Sequence, residues 1–154
     1  MEVIKKSDAI PSMTKGQIDV AKKAEKFIHT LDKVVCVTQH TIHAGNYSRT
    51  LFIPKGSMVA GVLIKVPTTL ILSGKMAVYT GNDVAHIDGY SVFTTLGNRK
   101  QVVYAIEDSY ATLIFKTSAK TVEEAEKEMT DEFDDLQSRE ENSVNIVNIT
   151  EVLS

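Results

Sequence analysis

The chain has 154 residues, 43% of them apolar, which suffices for one ordinary hydrophobic core, and a formal net charge of −3. Its single cysteine, Cys36, excludes an internal disulfide or a thiolate cluster and suits a small core residue in a reducing compartment. No apolar run approaches the roughly 20 residues of a membrane helix and Met1–Lys6 does not resemble a secretion signal, so a cytoplasmic chain with no membrane partner is expected.

The charge is unevenly placed. Residues 121–141 hold ten acids against Lys127 and Arg139, a local charge of −8 that leaves +5 on the rest. A mildly basic body without a concentrated basic face argues against duplex nucleic acid. It fits a small anionic ligand better, or docking of the acidic segment on the body. The acidic run itself reads as a solvated helix face.

Met1–Gly16 has no sustained period and reads as an arm. Over Gln17–Lys33, Ile18, Ala21, Ala24, Ile28 and Leu31 recur every three or four positions, predicting a helix that covers one side of the core. Val34–Thr38 is β-branched and reads as a strand. Tyr47–Ile53 then alternates, with Tyr47, Arg49, Leu51 and Ile53 on one face, and Pro54-Lys55-Gly56 ends it. Further strands are expected at Ser57–Lys65, Thr68–Leu72, Lys75–Thr80, Ala85–Ile87, Ser91–Thr94, Val102–Ile106 and Tyr110–Lys116. Turns are expected at Ser73-Gly74, Gly81-Asn82-Asp83, Asp88-Gly89, Gly97-Asn98 and Glu107-Asp108. Short strands at regular spacing with no helices between them predict a mainly β chain, an antiparallel sandwich or barrel.

After Thr117 the period changes. Thr121 and Glu124 match a capping box, and Val122, Ala125, Met129, Phe133 and Leu136 form an apolar stripe on an acidic helix, which packs on the barrel or on a second subunit. In the tail, Val144, Ile146, Ile149 and Val152 suit an added strand or a docking segment, and an exposed Val-Asn-Ile-Val-Asn-Ile run needs a partner edge.

Gly45 to Ser57, reading GNYSRTLFIPKGS, together with Gly61–Lys65, Leu72-Ser73-Gly74-Lys75, Val92–Gly97 and Tyr104–Asp108, resembles small single-domain cupins, including those found in bacteriophage genomes. The resemblance spans roughly residues 40–130. It implies a jelly-roll barrel, with 1–33 as arm and helix, 34–117 as cupin-like barrel and 118–154 as acidic helix and tail, all in one domain. It also implies association as a homo-oligomer. Where metal-binding cupins place histidines, the aligned residues here are Ile64, Thr68 and Phe115. Isoleucine and phenylalanine have no lone pair to donate, so no metal cofactor is expected at that site. His40 and His43 are spaced so that both can approach one metal from a loop, with His86 as a candidate third ligand; this is a weak metal signal, and His40 and His43, which precede the barrel mouth, are kept as ligand contacts.

The polar residues on and beside the strands are Tyr47, Arg49, Lys65, Tyr79, Arg99, Lys100 and Tyr104. Arginine grips carboxylate or phosphate bidentately, and tyrosine stacks while its hydroxyl stays paired. Arg49 on an inward face requires an anion or an internal carboxylate. The leading expectation is a non-catalytic binding protein for a small anionic ligand, with a signalling nucleotide sequestered by a phage protein as one concrete form. Two alternatives stand beside it: a metal-dependent isomerase, lyase or dioxygenase, and an assembly protein with a filled barrel.

Overall fold

The computed structural model describes residues 1–5 and 8–150. The first helix, α1 (Lys15–Ile28), starts where a capping box fixes it. The Thr14 hydroxyl accepts from the Gln17 amide at 3.2 Å, and the Gln17 side chain accepts from the Thr14 amide at 2.8 Å. It therefore begins earlier than the apolar period suggests, and it ends at Ile28 rather than Lys33. Its buried face is Ile18 and Ala21, while Leu31 beyond it is exposed.

Seven strands follow: β1 (Val37–His43), β2 (Asn46–Ile53), β3 (Met58–Ile64), β4 (Thr68–Tyr79), β5 (Val84–Thr95), β6 (Arg99–Ala105) and β7 (Ser109–Lys116). Helix α2 (Val122–Met129), two single 3-10 turns at 133–135 and 137–139, and β8 (Val144–Ile149) complete the chain. The fold is mainly β, as the turn spacing predicts. The strands form one curled sheet in the order β3-β6-β4-β7-β2-β1-β8, with β5 paired to β4. Every pair is antiparallel except β1 with β8, so the tail adds a parallel strand to an otherwise antiparallel sheet.

Two expected turns lie inside strands. Ser73-Gly74 and Asp88-Gly89 sit opposite one another in the β4–β5 hairpin, with Gly74 paired to Gly89. Both glycines have positive φ, +130° and +97°, so the hairpin bends there without ending. At Gly74 the bend brings β4 against β7 so closely that an added Cβ would lie 2.4 Å from Ser109 Oγ and 2.8 Å from the Asp108 carbonyl oxygen.

The sheet curls around two apolar clusters. One contains Ile53, Leu70, Leu72, Met76 and Val103; the other contains Tyr47, Val62, Phe115, Ala125, Met129 and Leu136. The second cluster shows where the acidic helix docks: its stripe packs into the sheet's concave side, not outward. The helix stops at Met129 because Thr130 is extended, and its hydroxyl donates to the Leu63 carbonyl at 2.7 Å. Only half of the expected capping box forms, since Thr121 accepts from the Glu124 amide while the Glu124 carboxylate turns to the Lys120 amide. Val152, the last apolar residue of the tail pattern, lies outside the described residues. Among the described residues no helix is long and apolar enough to cross a membrane.

Candidate functional site

Alternation along β2 turns Tyr47, Arg49, Leu51 and Ile53 to the concave side, and burial follows it: Tyr47 is 0% exposed, Arg49 7% and Ile53 1%. Beside them lies a cavity of about 100 Å³, with aliphatic walls from Leu51, Val62, Ile64, Leu70 and Leu113. Its polar lining comes from Arg49, Gln101, Asp135 and Gln137. Residues from β2, β3, β4, β6 and β7 share this one space, which the curl of the sheet makes possible, and Met129 and Leu136 close part of it.

The buried Arg49 cation meets an internal carboxylate. Its Nη1 donates to Glu126 Oε2 at 2.7 Å, and Glu126 is fully buried. The other Glu126 oxygen accepts from Arg139 Nε at 3.0 Å and Nη2 at 2.6 Å. Burial alone would push the Glu126 carboxyl up. The Ser138 hydroxyl and the two guanidinium groups outweigh it and hold the carboxyl below its ordinary value, so the group is anionic.

The surrounding bonds form a directed network. Asn145 Nδ2 donates to the Ser138 carbonyl at 2.9 Å, which leaves its Oδ1 as an acceptor for His40 Nε2 at 2.7 Å. His40 therefore carries its proton on Nε2 and accepts the Tyr47 hydroxyl at Nδ1, also 2.7 Å. Tyr47 in turn accepts from Arg49 Nη1 at 3.4 Å. Arg49 Nη2 donates to Ser138 Oγ at 3.1 Å, and that hydroxyl donates to Glu126 at 2.5 Å. Burial lowers the pKa of His40 and raises that of Tyr47, which keeps both neutral. A guanidinium offers five N–H donors. Among the described residues, Arg49 Nε and one Nη2 hydrogen have no protein partner.

Several expected site residues serve the fold instead. Lys65 is exposed and pairs with Asp131 at 2.7 Å. The Tyr79 hydroxyl donates to the carbonyls of Gly81 and Gln17, tying the β4–β5 loop to α1. Arg99 is 4% exposed and holds the N-terminal arm through the Pro11 carbonyl and the loop through that of Thr80. Lys100 is fully buried, with Glu25 at 2.9 Å and Glu132 at 3.4 Å, and so fastens α1 to β6. Tyr104 is 41% exposed on the sheet's outside. Of the expected contacts, Tyr47, Arg49 and His40 are brought together; the others are not.

The loop expected around His40 and His43 is strand β1, which starts at Val37 rather than Val34. Three residues apart on a strand, the two rings point to opposite faces: His40 is buried and His43 exposed. His86 is exposed on β5, away from both. Among the described residues no group of three or more His, Cys, Asp or Glu side chains comes together as a metal site. Ile64 lines the cavity, Phe115 packs edge-on against Tyr47, and Thr68 bonds to Thr95 at 2.7 Å.

Glu126, Ser138, Arg139 and Asn145 were not singled out by sequence. Glu126 had a readable signal: Val122, Ala125, Glu126 and Met129 occupy i, i+3, i+4 and i+7, so this glutamate sits on the apolar face.

No family model matches the chain, and no curated protein matches it. Among solved structures it is similar to a cupin-2 domain protein from Shewanella frigidimarina, at 11% identity and TM-score 0.43, over 65% of this chain and 97% of that one. It is also similar to a cupin superfamily protein from Desulfitobacterium hafniense, at 8% identity and TM-score 0.44, over 59% and 87%. A third is an RmlC-like cupin with a double-stranded β-helix fold from Methanocaldococcus jannaschii, at 13% identity and TM-score 0.43, over 56% and 83%.

Proposed function

We propose that this chain is a non-catalytic, cupin-like binding protein whose curled sheet takes a small molecule with an anionic end. The observation that carries the reading is Arg49, a buried guanidinium on the wall of an aliphatic cavity with donors left over after Glu126, Tyr47 and Ser138. Two arginines share one Glu126 carboxylate, which leaves one positive charge in the cluster. Asp135 also borders the cavity, but it is exposed, where water screens it. A compact monocarboxylate satisfies both parts: its hydrocarbon rests on Leu51, Ile64 and Leu113, and its carboxylate takes the open donors.

A signalling nucleotide, sequestered in a host cytoplasm by a phage-encoded chain, is a larger candidate of the same charge class. The engagement of Lys65, Arg99 and Tyr79 elsewhere favours the smaller ligand. One alternative has an observation of its own. Glu126 already neutralises Arg49, as it would in a filled scaffold where α2 clasps the sheet.

Calorimetric titration with monocarboxylates from butyrate to benzoate, sugar phosphates and a nucleotide panel tests the proposal. Saturable binding of a monocarboxylate is expected, weakened roughly tenfold or more in Leu113→Trp, which fills the cavity beside its cross-strand neighbour Arg49 and removes no hydrogen-bonding group of the network. Uniform absence of binding, or binding that Leu113→Trp leaves unchanged, contradicts it.

A further inference from the structure

The sheet's outer face carries no charged side chain over three consecutive rows that cross six strands. Strand register gives the middle row as Ile146, Gln39, Thr50, Thr112, Ile71 and Val92, from β8 to β5. The rows on either side run from Val144 to Tyr90 and from Asn148 to Thr94, through residues such as Phe52, Tyr110 and Ile114. All are partly or fully exposed, with Tyr90 at 69%, Val92 at 55% and Tyr110 at 49%. In a chain that is 24% charged, an uncharged face of this width departs from an ordinary solvated sheet, on which charges intersperse.

We infer that this face is a self-association surface covered by a second copy of this chain. Three features select that occupant. The first is area: with strands about 4.8 Å apart and residues about 3.3 Å along them, the patch measures about 29 by 20 Å. Two copies would bury about 1,200 Å², the lower end of what specific protein pairs use.

The second is charge. A two-fold axis sets the patch against itself, and a face without charges meets its copy without like-charge repulsion despite the chain's net charge of −3. The third is continuity with an open edge. Among the described residues β8 pairs only with β1, all six of its residues are exposed, and none is charged or proline to blunt the edge. The patch thus runs out to the β8 edge through Val144, Ile146 and Asn148, whereas the apolar stripe of α2 is already buried within the chain.

Sedimentation velocity on the full chain tests this, with Val92→Arg and Thr112→Arg in the patch and Phe27→Arg on exposed α1 as a control. The unmodified chain should sediment at twice the monomer mass at tens of micromolar. Each patch variant should weaken association roughly 100-fold or more, with unchanged circular dichroism, while Phe27→Arg leaves it intact. Val92 is exposed with no side-chain hydrogen bond, so that variant stays informative if Thr112→Arg fails to fold. A chain monomeric at 100 µM, or patch variants that still dimerise, overturns the inference; so does dissociation by Phe27→Arg alone.

Discussion

Replacing Glu126 by glutamine changes almost no volume and removes one charge, which isolates the electrostatic role of the buried cluster. The native carboxylate accepts four hydrogen bonds, from Arg49 Nη1, Ser138 and two nitrogens of Arg139. Arg139 is 35% exposed and lies over the Phe133 ring at 4.6 Å, so water and the ring can keep it solvated. Arg49 has no such recourse, with its side chain 8% exposed. The cost therefore comes mainly from one uncompensated buried cation, about 3–5 kcal/mol. With an m-value of about 2 kcal/mol/M, the urea midpoint should fall by about 2 M. The double variant Arg49→Met, Glu126→Leu removes both charges and should recover to within about 1 kcal/mol of the parent. Urea unfolding followed by circular dichroism measures both. A loss below about 1 kcal/mol in Glu126→Gln, or a double variant no better than the single one, would refute the reasoning.

Three further outcomes are expected. Burial depresses the pKa of His40, so the unfolded chain binds a proton that the folded chain refuses; stability should be full at neutral pH and decline as pH falls below about 6.5. Glu126, held below its ordinary 4.5, adds a second loss at lower pH. The thermal midpoint across pH 2 to 8 should show both steps, and an upper step unchanged in His40→Gln would assign it elsewhere. Tyr47→Phe removes the hydroxyl between His40 and Arg49 and should cost about 1–3 kcal/mol by denaturant titration; a neutral result would dissolve the network's claim on stability. Gly74→Ala combines a disfavoured φ with a Cβ 2.4 Å from Ser109 Oγ, so a loss of at least about 2 kcal/mol is expected, and a melting temperature equal to the parent's would contradict the bend at that position.

Much of the sheet was legible because its alternation is local. β2 shows its inward face in the sequence itself, and the demand that Arg49 find an anion followed from that face alone. The source of the anion was hidden, since Glu126 lies in an acidic stretch where neighbours such as Glu123 and Glu124 do face water. Composition over a window cannot single out one buried acid; only its place in the helical period can. The split of β4 and β5 at Gly74 and Gly89 failed for a related reason: glycine marks positive φ in a bent strand as well as in a turn, and the difference depends on β7 packing against the bend. His40 and His43 were assigned to a loop because the Thr38, His40, Ile42 inward alternation is polar, and a polar inward face needs Tyr47 and Asn145 to satisfy it. Tyr47 comes from the next strand of the hairpin, but Asn145 is supplied by β8, 105 residues beyond His40.

The binding claim rests on the space beside Arg49, and methyl-resolved NMR of the full chain during titration with benzoate tests it most directly. Chemical-shift changes should concentrate on the methyls of Leu51, Ile64, Leu70 and Leu113, saturate with one site, and vanish in Leu113→Trp. Shifts confined to surface methyls such as Val20 and Val144, or none at millimolar benzoate and across the wider acid panel, would contradict the account.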